Sequence, residues 1–167
     1  MKLPPYDIYP NISDNRVLLR QVLPSDIEDI LEISFYDSIQ ASTLQHAIEM
    51  QAKIYKDYID GNSIHWGIAN KATNRLIGTC GYYRGFDKGA GELGCVLLPQ
   101  FYGQGFMTNA MQLAIDFGIN NIELKRIWAI TTKQNIKAIK LLDRLQFIKV
   151  SDLEDDAIEY TFTPHKL

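Results

Sequence analysis

The chain has 167 residues, the usual length of one domain, and its 46% apolar content suffices for a core beneath a charged surface. A net charge of -3 offers no clustered basic face for nucleic acid, and no apolar run approaches the ~18 residues of a membrane span. Residues 1–15 carry Lys2 but no apolar stretch behind it, so they do not read as a secretory signal, and a cytoplasmic protein is expected.

Residues 1–14, rich in Pro and Asn, are expected to lie as an arm over the body. Residues 16–22 alternate as a first strand. Pro24, Ser25 and Asp26 open a predicted helix with Ile27, Ile30, Leu31 and Ser34 on its inner side, and Asp26, Glu28 and Asp29 favour its N-terminal dipole. The pattern fails over 37–42, which predicts a loop or short helix of the kind that carries substrate contacts. Ser42 or Thr43 then caps a longer helix to Ile59, with Ala47, Ile48, Ile54, Tyr55 and Tyr58 inward. Asp60, Gly61 and Asn62 stop it. Three strands follow, over 64–69, 75–84 and 92–98, and the polar turn 70–74 and Gly-rich turn 85–91 make them an antiparallel meander.

Pro99 closes the third of these strands, and Gln100, Phe101, Tyr102, Gly103, Gln104 and Gly105 lead into a helix with Met107, Ala110, Met111, Ala114, Phe117 and Gly118 on one face. Strand, glycine turn and helix aim unpaired backbone N–H groups and a positive dipole end at an anion. The spacing is not that of a dinucleotide fold, since Thr108 stands where a third glycine belongs and Glu123 precedes the next strand instead of closing it. It is not a P-loop either, because Phe106 follows Gly105. On these six residues alone, a plain tight turn remains the alternative. Asn120 and Asn121 are expected to end the helix in left-handed geometry. Residues 124–131 read as a strand parallel to 92–98, because a helix joins the two. Asn135 caps a further helix with Ile136, Ile139, Leu142 and Leu145 inward, and 147–150 with 157–163 read as a hairpin around the acidic turn 152–156. The whole predicts one α+β domain over 1–167. Cys80 and Cys95 fall inside strands as free buried thiols, and His46, His65 and His165 are too scattered for a zinc site.

This order of elements, with local sequence at several separate places, resembles the GNAT superfamily of N-acetyltransferases in its RimJ/RimL-like branch. Asn15 to Val22 followed by Asp26 is similar to that branch's T-x-R-L-x-L-R opening, and Trp66 and Ile77-Gly78 fall where it has a tryptophan strand and an Ile-Gly pair. Glu92-Leu93-Gly94 resembles E-I-G, and Phe101 to Ala110 resembles W-G-x-G-x-x-T-E-A. Asn135 with Ala138, then Leu145-Gln146-Phe147, resemble N-x-x-S and L-G-F. The resemblance implies the GNAT fold, a mixed central sheet of about seven strands flanked by helices. It also implies acetyl-CoA as acyl donor without a metal, and direct transfer in a ternary complex to a primary amine, either a protein N-terminal α-amine or a small molecule.

Roles for residues follow from the resemblance. The family's fourth and fifth strands splay, and the pantetheine pairs with the exposed edge. That implies main-chain groups of Val96 and Leu98 for the pantetheine, and the N–H of Val96 for the thioester oxygen. It implies amides of Gly103, Gln104, Gly105, Phe106, Met107 and Thr108 for the pyrophosphate, and Asn135 as both helix cap and pantetheine contact. Glu92 becomes the candidate general base for the incoming ammonium, sharing a strand face with Gly94, Val96 and Leu98. Its alternatives are a solvated strand-end carboxylate or an ammonium anchor.

Four residues depart from the family pattern. Asn109 replaces a glutamate, Ala138 a serine, and Gln146 a glycine whose loss predicts an altered turn. Leu142 stands where many members carry the tyrosine that protonates the leaving thiolate, leaving Tyr82, Tyr83, Tyr102 and Tyr160 as substitutes or packing residues. These departures favour the rival reading, a non-catalytic acyl-CoA-binding module. Acceptor choice is expected to lie in 37–42, the helix after it and 84–91, and a homodimer would be in keeping with the family.

Overall fold

A computed structural model describes residues 1–164. In chain order it contains β1 (Ile12–Ser13), β2 (Val17–Arg20), β3 (Phe35–Tyr36), β4 (Ile39–Gln40), α1 (Leu44–Ile59), β5 (Ile64–Asn70) and β6 (Leu76–Tyr82). Then follow β7 (Ala90–Leu97), α2 (Phe106–Phe117), β8 (Arg126–Thr132), α3 (Ile136–Arg144), β9 (Ile148–Asp152) and β10 (Ala157–Phe162). Eight strands make one mixed sheet in the order β1-β2-β5-β6-β7-β8-β10-β9, and β3 and β4 form a separate hairpin. Among the described residues only β7 and β8 pair in parallel, as a crossover through α2 requires. The eighth strand comes from the N-terminal arm. There β1 pairs with β2, Tyr9 Oη donates to the His65 carbonyl at 2.7 Å, and Trp66 Nε1 donates to the Pro10 carbonyl at 3.0 Å.

The two-residue period of the strands gives the sheet unlike faces. On the side covered by α2, Trp66, Tyr82, Leu93 and Leu97 are buried with Ala110 and Ala114. The opposite face carries Ser63, His65, Thr79, Tyr83 and Glu92 at its centre, roofed by α1, the β3–β4 hairpin and residues 27–34.

Several expectations need correction. Residues 24–34 are not an α-helix but a run of tight turns whose N–H groups bond three residues back, including two 3₁₀ segments, Pro24–Asp26 and Leu31–Ile33. The buried apolar side chains are Ile27, Ile30 and Ile33, a spacing of three that three residues per turn bring to one side. Of the two readings of 37–42, a loop or a short helix, the structure takes the loop, as a hairpin turn running into β4. Asp37 and Ser38, both at positive φ, turn the β3–β4 hairpin. In α1, capped by Thr43 Oγ1, the inner face is Ala47, Met50 and Tyr58, whereas Ile48 and Tyr55 lie with Leu44 and Ile59 on an exposed flank. After α2 the chain makes one wide turn, and Glu123 rather than an asparagine takes the left-handed conformation. Ile136, at the start of α3, is exposed, while Leu142 and Leu145 are buried.

Candidate active site

The strands β7 and β8 begin paired and then part. Ala90, Gly91 and Glu92 align with Arg126, Ile127 and Trp128, and pairing stops there although both strands continue. A wedge is thereby opened in the middle of the sheet. The other edge of β7 stays zipped to β6 in unshifted register, from Tyr83 N–H on the Glu92 carbonyl (3.2 Å) to Leu98 N–H on the Ile77 carbonyl (2.8 Å). Antiparallel alternation then turns the main-chain groups of Gly94, Val96 and Leu98 toward β6, and those of Leu93, Cys95 and Leu97 toward the wedge. The expectation for the main chain of Val96 and Leu98 is therefore one residue out of phase. The Val96 side chain lines the wedge, whereas Leu98 is buried beneath residues 27–33.

Two cavities meet at this wedge. One, of about 730 Å³, lies between β7, the start of α2 and α3. Gly105 begins α2 at φ 83° with no side-chain cap, so the first-turn N–H groups of Phe106, Met107 and Thr108 face the cavity without a capping partner. The positive φ favours glycine there. Gly103 lines the same cavity, but Gln104 does not, its amide folding back on the Gln100 carbonyl at 3.0 Å. Asn135 lines it too, and caps α3 by accepting the Ala138 N–H at 3.1 Å through Oδ1, which leaves its amide NH₂ unused among the described residues. Lys137, Lys140 and Arg144 add three cations, and Arg144 Nη1 donates to Thr108 Oγ1 at 3.1 Å.

The second cavity, of about 620 Å³, opens on the opposite face of the sheet under α1 and the β3–β4 hairpin. Both cavities reach Gly94, Cys95, Val96 and Ile130. Glu92 stands on the wall of the second, its side chain 14% exposed. Burial pushes its carboxyl up, Glu159 adds to the rise, and Arg84, with Nε 2.9 Å from Oε2, opposes it. That nitrogen is close but not aligned, so Oε2 has a counter-ion and no hydrogen bond. A carboxylate raised toward neutrality beside a channel suits proton abstraction.

Of the four tyrosines, Tyr82 donates to the Ala114 carbonyl at 2.8 Å beneath α2, Tyr160 is buried in the core, and Tyr102 is half exposed with Lys137 over its ring. Tyr83 differs. Its ring lies where a Cβ on Gly94 would be, and its hydroxyl donates to the Gly94 carbonyl at 3.3 Å, where the cavities join. The Cys95 thiol, opposite Cys80, is pushed well up by burial and by Cys80, so it is held as a thiol and not as a nucleophilic thiolate. Among the described residues no three His, Cys, Asp or Glu side chains gather as a metal set, and His165 lies outside the described residues.

Residues 16–148 match the model of the acetyltransferase (GNAT) domain family. The chain belongs to that family. It is 27% identical over 150 residues to the uncharacterized N-acetyltransferase YoaA of Bacillus subtilis, covering 85% of each chain. Among solved structures it is similar to the ribosomal-protein-S5-alanine acetyltransferase of Vibrio fischeri, with a TM-score of 0.77 at 19% identity over 92% of this chain and 96% of that one. It is similar also to a dodecameric spermidine N-acetyltransferase of Vibrio cholerae, with a TM-score of 0.76 at 17% identity over 90% and 95%. Likeness at these identities is likeness of fold, and the family membership makes the chain an acyltransferase.

For a GNAT enzyme the departures are milder than the sequence suggests. Gln146 takes φ 66°, the left-handed geometry of the glycine it replaces, so the expected altered turn is not found. Asn109 Nδ2 donates to Asp14, tying α2 to the arm. Leu142 is buried and brings no hydroxyl. The sequence reading missed Lys137, Lys140 and Arg144, whose three- and four-residue spacing behind the Asn135 cap puts them on one helix face and could have been read. It also missed Ser63 and His65, which nothing in their strand pattern distinguishes from ordinary polar positions.

Proposed function

We propose that this GNAT enzyme moves an acetyl group from acetyl-CoA to a primary amine by direct transfer, with donor and acceptor bound together. The observation that carries this is the meeting of two cavities, one on each face of the sheet, at the wedge between β7 and β8. The residues of the first cavity fit the donor. Its pyrophosphate meets the first-turn N–H groups of α2 at Phe106, Met107 and Thr108, with Gly103 and Gly105 giving close approach and Arg144, Lys140 and Lys137 supplying charge. The pantetheine arm adds as a strand to the free edge of Cys95 and Leu97, with the Asn135 amide as a further donor.

Acetyl-CoA supplies an acyl group activated as a thioester. The Cys95 N–H, turned into the wedge, polarises the acyl oxygen in the place the family resemblance gave to Val96. Glu92 takes the proton from the incoming ammonium on the other side. As the free amine forms the C–N bond the C–S bond breaks, and the proton then lost from nitrogen balances the departing CoA thiolate. Cys95 is not set up for an acyl-enzyme route, because burial and Cys80 keep it a thiol. A RimJ/RimL-like place within the family and a cytoplasmic setting belong to this same reading.

Free thiol release from acetyl-CoA is the test: release that requires an added amine supports transfer, and none with any amine rejects it. The donor site has its own prediction. Arg144→Ala is expected to raise the Kd for acetyl-CoA roughly ten- to hundredfold, the worth of one hydrogen bond to a charged group. Titration calorimetry would show it, and an unchanged Kd would remove Arg144 from the phosphate site.

A further inference from the structure

Among the described residues three buried side-chain atoms lack any hydrogen-bond partner: Ser63 Oγ, His65 Nδ1 and Glu92 Oε2. All three residues line the second cavity. Such an orphan costs roughly 1–3 kcal/mol, so three on one wall mark a surface that a ligand completes. The sheet register explains how they come together. Ile64 aligns with Tyr82, which puts Ser63 opposite Tyr83, and Tyr83 donates its N–H to Glu92. Ser63, Tyr83 and Glu92 thus form one row across three strands, and His65, two residues on from Ser63, heads the next row with Gly81 and Gly94. In that second row the Tyr83 ring lies over Gly94, 5.5 Å from the His65 ring. Ser63 is 4% exposed, so its hydroxyl has no bulk water to turn to.

We propose that this wall is the amine-receiving site, and that the acceptor is a primary amine carried on a compact apolar body. The inference rests on the acetyl-transfer reading above. A primary ammonium brings three N–H donors to a wall with two unpartnered acceptors, Ser63 Oγ and His65 Nδ1, and a carboxylate oxygen that has an ion-pair partner but no hydrogen bond. Burial alone pulls the His65 imidazole down to about 4, so the ring is neutral at physiological pH, and in its Nε2–H tautomer Nδ1 offers a lone pair. Glu92 carries the charge that attracts the ammonium and takes its proton. Away from this wall the cavity is lined mainly by apolar side chains, among them Ile27, Ile30, Met50, Ile54 and Ile130, with Ser34, Ser38 and Gln51 among its uncharged polar groups. The remaining carboxylates, Asp37 and Asp57, stand by the hairpin, and Asp57 already accepts the Tyr36 hydroxyl at 3.0 Å.

The test compares phenethylamine and isopentylamine with N-methylphenethylamine, spermidine and a short peptide with a free N-terminus, by thiol release at saturating acetyl-CoA. The apolar primary amines are expected to give kcat/KM at least tenfold above the other three. Ser63→Ala and His65→Leu are each expected to raise the amine KM roughly tenfold with the acetyl-CoA KM unchanged, and His65→Asn, which restores an acceptor near Nδ1, to recover most of it. Preference for spermidine or the peptide, or an amine KM unmoved in both variants, overturns this inference while transfer itself stands. No turnover of any amine, with acetyl-CoA still raising the Tm, overturns the transfer reading and this inference together. The wild-type comparison needs no variant, so a variant that fails to fold does not shield the proposal.

Discussion

Glu92→Gln is expected to lower kcat roughly 10²- to 10⁴-fold, the usual worth of a positioned general base. Acetyl-CoA should still raise the Tm of the variant, because Glu92 lines the acceptor cavity and not the donor cavity. The pH profile gives the role a second handle. Glu92 must be ionised to accept a proton, so activity falls as pH drops through its raised pKa. Arg84 opposes that rise, and Arg84→Ala is expected to move the acid limb to higher pH. An unchanged kcat in Glu92→Gln, or an acid limb unmoved by Arg84→Ala, would leave Glu92 as an anchor or a bystander.

The second large effect concerns the roof of the acceptor cavity. Arg20 Nη1 and Nη2 donate to both oxygens of Asp26 at 2.7 and 2.9 Å, and the Leu23 N–H adds a third bond at 2.8 Å. Both side chains are only about a tenth exposed. This pair pins the start of the tight-turn run that brings Ile27, Ile30 and Ile33 over the sheet. Arg20→Ala leaves a buried carboxylate without its partner and is expected to cost about 3–5 kcal/mol, roughly 6–20 °C in Tm. Replacing both residues with apolar ones should cost less, since no charge is then stranded. Burial alone would raise the Asp26 carboxyl, but the Arg20 bonds, the Leu23 N–H and the Arg20 charge outweigh it and hold the pKa below its ordinary value. The folded pKa thus lies below the unfolded one. The pair's contribution is complete above about pH 4 and is lost as pH falls through the folded value, and Arg20→Ala should flatten that acid limb. Calorimetric unfolding across pH would check both statements.

What the sequence made legible was set by local pattern. The glycine turn at Gly103 and Gly105, the meander of β5 to β7 and the crossover through α2 all follow from residue types at fixed spacings. The errors have physical causes. Over 24–34 the apolar residues recur every three positions at Ile27, Ile30 and Ile33, a spacing that an α-helix and a 3₁₀ turn share over so short a run. Pattern alone puts Ile48 and Tyr55 inside because α1 carries apolar residues on two adjacent flanks, of which only one meets the sheet. The exchange of Cys95 for Val96 in the wedge is a matter of phase. The alternation is visible in sequence, but which set faces β8 depends on which set β6 has taken, and that is a tertiary fact. Likewise nothing in the identity of Ser63 or His65 announces that neither finds a partner. Glu92 was found from sequence, while its neighbours on the wall required the fold.

The most direct test of this account is a crystal structure of the enzyme with bound acetyl-CoA. It is expected to show the pyrophosphate on the first-turn N–H groups of α2 beside Arg144, and the pantetheine hydrogen-bonded to main-chain groups of Cys95 and Leu97. The thioester should lie where Gly94, Val96 and Ile130 join the two cavities. A donor bound anywhere but the β7–β8 wedge, or a thioester that does not reach the Glu92 side of the sheet, would contradict it.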